Sequence, residues 1–191
     1  MKRIVILASG SGSNAENIIS FFRESPSIEV SAVLTNKKTA AVLERCDRLK
    51  TPAFYFNRAA FTDSDRVVKL LKALSPDLIV LAGFLWKVPA SLIKAFPNTI
   101  INIHPALLPK YGGKGMYGAK VHQAVKDNLE SETGITIHYV NENYDEGAVI
   151  FQAKTVVVSS DDADSIAKKV HQLEYDHFPK VIEKLLLKDG Q

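Results

Sequence analysis

The stretch Arg3–Asn17 reads RIVILASGSGSNAEN. Its first six residues are mostly branched and apolar, without a polar face, which is the pattern of a strand buried on both sides. Gly10 and Gly12 then alternate with serines, and Asn14-Ala15-Glu16-Asn17 opens a helix-like segment. A buried strand, a glycine-serine turn and a helix in immediate succession form the first step of a βαβ unit, in which the turn lies at the carboxyl edge of a parallel sheet.

The same alternation continues outward from this stretch. EVSAVLT (29–35), AFYFN (53–57), DLIVLAG (77–83) and TIINIH (99–104) read as further strands of the same kind. Helix-like segments fall near 14–24, 39–50, 62–74 and 89–95. Ser13 or Asn14 is the expected cap of the first and Thr62 of the third, while Pro26, Pro52 and Pro76 mark exits. Beyond residue 100 the character changes. The glycine-rich KYGGKGMYG (110–118) precedes a helical AKVHQAVKDN. GITIHYV (134–140) and AVIFQAKTVVV (148–158) then read as two adjacent strands joined by the polar NENYDEG (141–147). Such a pair makes an antiparallel edge on a parallel sheet. Residues 161–188 form a long helical pattern, with Pro179 the expected break or kink. The expectation is one α/β domain over 1–191, a Rossmann-like three-layer fold. Residues 1–100 are expected to form its phosphate- and nucleotide-binding half and 101–191 its catalytic and folate-site half.

Composition narrows the class. Of 191 residues, 46% are apolar and 24% charged, and 24 basic against 21 acidic residues leave a net charge of +3. A small positive excess suits an anionic metabolite and gives little support for nucleic acid. No apolar run reaches the ~20 residues of a membrane helix, and the N-terminal run leads into the glycine loop rather than a cleavage site. Cys46 is the only cysteine, so no internal disulfide forms, and a cytoplasmic location is expected.

Two places carry chemistry. Ser9–Asn14 offers small side chains, hydroxyls and backbone N–H groups at a helix start, a natural phosphate cradle. Gly10-x-Gly12-x-x-Ala15 also approximates a dinucleotide fingerprint, but strand two ends in Thr35-Asn36-Lys37-Lys38 without the acid that would hold a ribose. The second place is the end of TIINIH. Period-two alternation puts Asn102 and His104 on one face, and two polar groups on an apolar strand require partners. Asp145, in the loop between the last two strands, is a candidate partner. A carboxylate beside His104 would raise the imidazole pKa and orient the ring. Asn102 and a protonated His104 would then donate to a developing oxyanion while Asp145 manages protons. No serine or cysteine stands in a nucleophile's position, which favours direct acyl transfer to an amine. His138 either points into this site or sits on the sheet surface. His171 and His177 read as surface or packing residues, and no His-x-His or His-Glu-x-x-His spacing argues for a metal.

NIHPALLPKY, together with SGSGSN, LAGF and YDEGAVI, closely resembles the folate-dependent formyltransferases, in the same order and over nearly the whole chain. The resemblance implies transfer of the formyl group of 10-formyltetrahydrofolate to the amine of glycinamide ribonucleotide in purine synthesis, without a metal. It implies Asn102, His104 and Asp145 as the catalytic residues. Gly12, Ser13 and Asn14 would hold the ribonucleotide phosphate, and Glu174 would contact the same substrate. Leu85, Trp86, Lys87 and Val88, with Asn102, would line the folate site. The chain departs from the family pattern at Trp86-Lys87 and in the longer loop KYGGKGMYGAKVH. Hydrolysis of 10-formyltetrahydrofolate at the same three residues is the alternative.

Overall fold

The computed structural model describes residues 1–188. In chain order the elements are β1 (Lys2–Ala8), α1 (Ser13–Phe22), β2 (Ile28–Thr35), α2 (Val42–Arg48), β3 (Ala53–Tyr55), α3 (Arg58–Thr62), α4 (Arg66–Leu74), β4 (Leu78–Leu81) and α5 (Ala90–Ala95). They continue with β5 (Ile100–His104), α6 (Ala119–Asp127), β6 (Glu132–Tyr139), β7 (Val149–Val156) and α7 (Ala163–Lys188). The strands make one seven-stranded sheet in the order β3-β2-β1-β4-β5-β6-β7. It is mostly parallel, and β6 and β7 pair antiparallel at its end. The Rossmann-like α/β fold with an antiparallel edge is therefore the observed one.

The chain groups into two compact units, one of Met1–Ile101 with the residues from Ile182 onward, the other Asn102–Val181. The core of the first is β1. Ile4, Val5, Ile6, Leu7 and Ala8 are fully buried, because parallel partners flank the strand and helices cover it. The chain winds from β1 to β2 and β3 on one side, then returns to place β4 on the other. That reversal makes β1 and β4 the topological switch point, beyond whose carboxyl ends open α/β sheets bind ligands.

Several local expectations need correction. Gly12, at φ 75°, precedes α1 as its cap, and its carbonyl accepts the Glu16 N–H at 2.8 Å; Ser13 and Asn14 are already helical and do not cap it. The expected third strand stops at Tyr55, because the Asn57 side chain accepts the Ala60 N–H (2.9 Å) and starts α3. The helix expected over 62–74 is observed as α4, which starts at Arg66, and Thr62 ends the separate α3 before it rather than capping it. The last helix runs through Pro179 without ending there.

In the second unit β6 carries Ile135 and Ile137, both fully buried, and pairs with the exposed strand β7. The register slips between Ile137 and His138, so that Ile137 faces Phe151 while His138 faces Val149. A bulge of this kind turns a strand and re-aims its side chains. Gly147 closes the loop that follows β6. A Cβ there would lie 1.6 Å from the Tyr139 carbonyl oxygen, so only glycine lets the loop pass.

Candidate active site

β5 delivers Asn102, half-buried, and His104, 3% exposed. Past His104 the chain turns through a cis Leu108–Pro109 peptide. Thr136 of β6 pins this turn. Its hydroxyl donates to the Ala106 carbonyl (2.7 Å) and accepts the Leu108 N–H (3.0 Å), while Gln152 of β7 donates to the Leu108 carbonyl (3.1 Å).

Asp145 stands at the centre of the polar groups that result. It adopts the left-handed backbone (φ 56°), which Asp tolerates better than most residues. Oδ2 accepts the Gly113 N–H at 2.9 Å and lies 3.6 Å from His104 Nδ1. Oδ1 lies 3.6 Å from His138 Nε2. His138 Nδ1–H donates to its neighbour's carbonyl, Tyr139 O, at 2.9 Å, and its Nε2 accepts from Asn102 Nδ2 at 3.1 Å. His104 Nε2–H donates to the Tyr111 carbonyl at 2.7 Å. The three residues read from the sequence thus converge, and His138 joins them. Its period-two position allowed either face, and the bulge beside it was invisible in the residue pattern.

The electrostatics differ from the expectation for His104. Burial holds its imidazole below the ordinary pKa, outweighing the pull of Asp145 and the Tyr111 carbonyl in the other direction. His104 is therefore neutral at rest near neutral pH, not protonated. Burial pushes the Asp145 carboxyl upward, but the neighbouring His138 and His104 rings and the Gly113 N–H together hold it below the usual carboxylate value. An ionised carboxylate, a neutral imidazole and a side-chain amide suit proton management around a reaction at a carbonyl.

Glu174 of α7 is also buried, 4% exposed, and accepts a hydrogen bond from His171 Nδ1–H at 2.9 Å. That bond is the main reason the His171 pKa is raised. His171 is exposed, as expected, and is also tied to the candidate substrate residue. The buried His122 of α6 lies beside it, with ring centroids 6.3 Å apart.

The other candidates belong to the first unit. Gly12 sits where a Cβ would fall 2.3 Å from Val42 Cγ2, in a left-handed conformation that side chains disfavour. Ser13 and Asn14 follow as the first helical residues of α1, whose N-terminus presents backbone donors. Ser9 ties the loop to the end of β4: its N–H donates to the Gly83 carbonyl (3.1 Å) and its Oγ accepts the Leu85 N–H (2.9 Å). Leu85 is exposed, and Val88 is buried in the core. Trp86 packs with Phe56, Phe61 and Phe84 beneath the Arg58 guanidinium, 5.1 Å from its ring centre. Lys87 is exposed. Cys46 lies buried in α2, with its thiol pKa raised by that burial, and serves packing.

An α/β sheet with a phosphate-type loop and an Asn-His-Asp cluster defines a class, and comparison with known proteins agrees. The chain belongs to the formyl transferase family, whose family model matches residues 2–182. It is 35% identical over 193 residues to the phosphoribosylglycinamide formyltransferase of Bacillus subtilis, covering 97% of this chain and 95% of that protein. The chloroplastic phosphoribosylglycinamide formyltransferase of Arabidopsis thaliana is 37% identical over 187 residues, 95% of this chain, which spans 64% of that longer protein. The chain spans 14% of the trifunctional purine biosynthetic protein adenosine-3 of Drosophila melanogaster. Among solved structures, glycinamide ribonucleotide transformylase 1 from Geobacillus kaustophilus superposes with a TM-score of 0.88 at 33% identity, covering 97% of this chain and 99% of that one.

Proposed function

We propose that this protein transfers the formyl group of 10-formyltetrahydrofolate to the amine of glycinamide ribonucleotide. The observation that carries the reading is the Asn102–His138–Asp145–His104 cluster, which holds donors and a base but no hydroxyl or thiol nucleophile. The names of the relatives support a formyl group as what is moved and glycinamide ribonucleotide as its acceptor.

The reaction forms a bond between the amine nitrogen and the formyl carbon and breaks the bond from that carbon to the folate N10. One proton leaves the amine and one reaches N10. Asn102 Nδ2 carries a second N–H beyond the one given to His138, available to the oxygen that gains charge. Asp145, kept ionised, takes the amine proton directly or through water and returns it to N10 as the bond from that nitrogen to the formyl carbon breaks. His104, neutral at rest, shares that proton at Nδ1, which faces the carboxylate. Gly12, Ser13 and Asn14 hold the ribonucleotide phosphate on backbone N–H groups, and Glu174 contacts that substrate. Leu85, Trp86 and Lys87, with Asn102, line the folate site, and the buried Val88 anchors that segment; Leu85 supplies exposed apolar surface and Trp86 a wide ring for a flat heterocycle. The proposal includes a cytoplasmic location, supported by the single buried thiol. Among the described residues no helix is long and apolar enough to cross a membrane.

The test follows folate absorbance as protein meets 10-formyltetrahydrofolate with and without glycinamide ribonucleotide. Formyl loss that requires the amine supports the transferase. Equal loss without it means hydrolysis, and no loss in either case removes the catalytic reading.

A further inference from the structure

The turn after β5 makes two contacts with the catalytic candidates, both through its backbone. The Tyr111 carbonyl accepts the His104 Nε2–H at 2.7 Å, and two residues later the Gly113 N–H donates to Asp145 Oδ2 at 2.9 Å. Tyr111 adopts φ 57°, a left-handed conformation that a bulky residue keeps only where its surroundings impose it. The surroundings here are specific. Tyr111 Oη–H donates to Glu130 Oε1 at 2.9 Å, and Lys110 Nζ donates to both oxygens of the same carboxylate, at 2.9 and 3.1 Å. Glu130 therefore grips two consecutive side chains of the turn.

We propose that Glu130 and Tyr111 are positioning residues that set the tautomer of His104 and the orientation of Asp145. This rests on the catalytic roles proposed above. A carbonyl oxygen only accepts, so the Tyr111 contact requires the proton on Nε2 and leaves Nδ1 as the bare nitrogen facing Asp145. When His104 takes up a proton it takes it at Nδ1, and both N–H groups then have acceptors. Loss of the grip lets Tyr111 leave its left-handed conformation, and with it go the carbonyl that selects the tautomer and the amide that aims the carboxylate.

Glu130 acts at a distance. Its side chain lines a cavity of about 170 Å³ with Leu107, Tyr111, Glu132, Thr133 and Lys154, and the lining includes none of Asn102, His104 or Asp145. The same cavity supplies a control. Glu132 pairs with Lys154 at 2.8 Å across β6 and β7, also on its wall, with no hydrogen bond to the turn. The charged and titratable groups facing His104 itself are Asp145 in the loop after β6, His138 on β6, His122 on α6 and Glu174 on α7.

The experiment compares Tyr111→Phe, Glu130→Gln and the control Glu132→Gln by steady-state kinetics and by the ¹⁵N shifts of the His104 ring in the free protein. Tyr111→Phe keeps the ring and removes only the hydroxyl. The first two variants are expected to lose roughly ten- to hundredfold in kcat with KM for both substrates within about twofold, as misplacement of a reacting group does. Their His104 signal should change from a single Nε2–H tautomer to a mixture. The control should keep the kcat and the tautomer of the unmodified protein. An unchanged tautomer in Tyr111→Phe overturns the proposal whatever happens to kcat, and an equal loss in Glu132→Gln overturns it as well. If the unmodified protein transfers no formyl group, the functional reading falls separately, and the tautomer still decides the grip.

Discussion

The glycine-serine loop of the first unit and the Asn-His-Asp cluster of the second are built on opposite principles. The loop is a backbone device. Gly12 turns the chain, Ser9 ties the loop to the end of β4, and the donors it offers are amides at the start of α1. The cluster is a side-chain device, assembled from β5, the turn after it, β6 and the loop before β7. A backbone site tolerates changes in most of its side chains but not in its dihedral angles. A side-chain site is the reverse: every member has a chemical identity that its neighbours depend on.

The largest effects should therefore come from single side chains in the cluster. His104→Ala and Asp145→Asn are each expected to lower kcat by roughly a hundred- to ten-thousandfold, the range for a general acid or base, with KM for folate little changed. Asn102→Ala should lower kcat by about a hundred- to a thousandfold if its amide serves the developing oxyanion. Steady-state kinetics on purified variants checks all three. Near-normal turnover in both His104→Ala and Asp145→Asn would break the comparison at its stronger end.

The loop should respond to a methyl group where the cluster responds to lost chemistry. Gly12→Ala adds a Cβ that would lie 2.3 Å from Val42 Cγ2, at φ 75°. The strained backbone alone is expected to lower stability by about 1–3 kcal/mol, read by urea unfolding. KM for the phosphorylated substrate should rise while kcat at saturation changes less. Ser13→Ala, which leaves the backbone donors in place, should change KM by less than Gly12→Ala does. An equal or larger effect of Ser13→Ala would mean that the hydroxyl, not the amides, holds the phosphate.

The same contrast explains what could be read from the residues alone. The sheet was legible because buried parallel strands are short, β-branched runs between helices, and β1, β2, β4 and β5 announce themselves that way. The loop was legible because small residues between a strand and a helix are a local pattern. Asn102 and His104 stood out as polar residues ending an apolar strand. What depended on distant partners did not show. Asn57 reads as the end of a strand until its side chain is seen to cap α3. The register slip that sets His138 against Val149 has no local signature. The protonation state of His104 is not legible in the residues, because a neighbouring carboxylate can be inferred from a motif, whereas the depth of burial that outweighs it cannot. Tyr111 and Glu130 carry no signal in the residues for the same reason, since a backbone carbonyl acting on His104 leaves no mark on residue identity.

The smallest effect separates two rings within the second unit, His122 and His171, whose centroids lie 6.3 Å apart. Burial lowers the His122 pKa, as does the neighbouring His171 charge, whereas the Glu174 hydrogen bond raises that of His171. Lowering means that the unfolded chain takes up a proton before the folded one, so His122 makes the fold less stable as pH falls through its unfolded value. Raising means the opposite. The His171 contribution is fully present below its unfolded value and is lost as pH rises through the higher folded value. Urea midpoints at about pH 7.5 and about pH 5.5 bracket the ordinary histidine value of about 6.5. Relative to the unmodified protein, His122→Leu should lose less stability on going to the acid buffer, and His171→Gln should lose more. His104 shifts in the same direction as His122 and adds to the common acid sensitivity of both variants, so only their difference is diagnostic. If both variants move the same way, the relief that His171→Gln gives His122 outweighs the Glu174–His171 bond, and that bond contributes little to the fold.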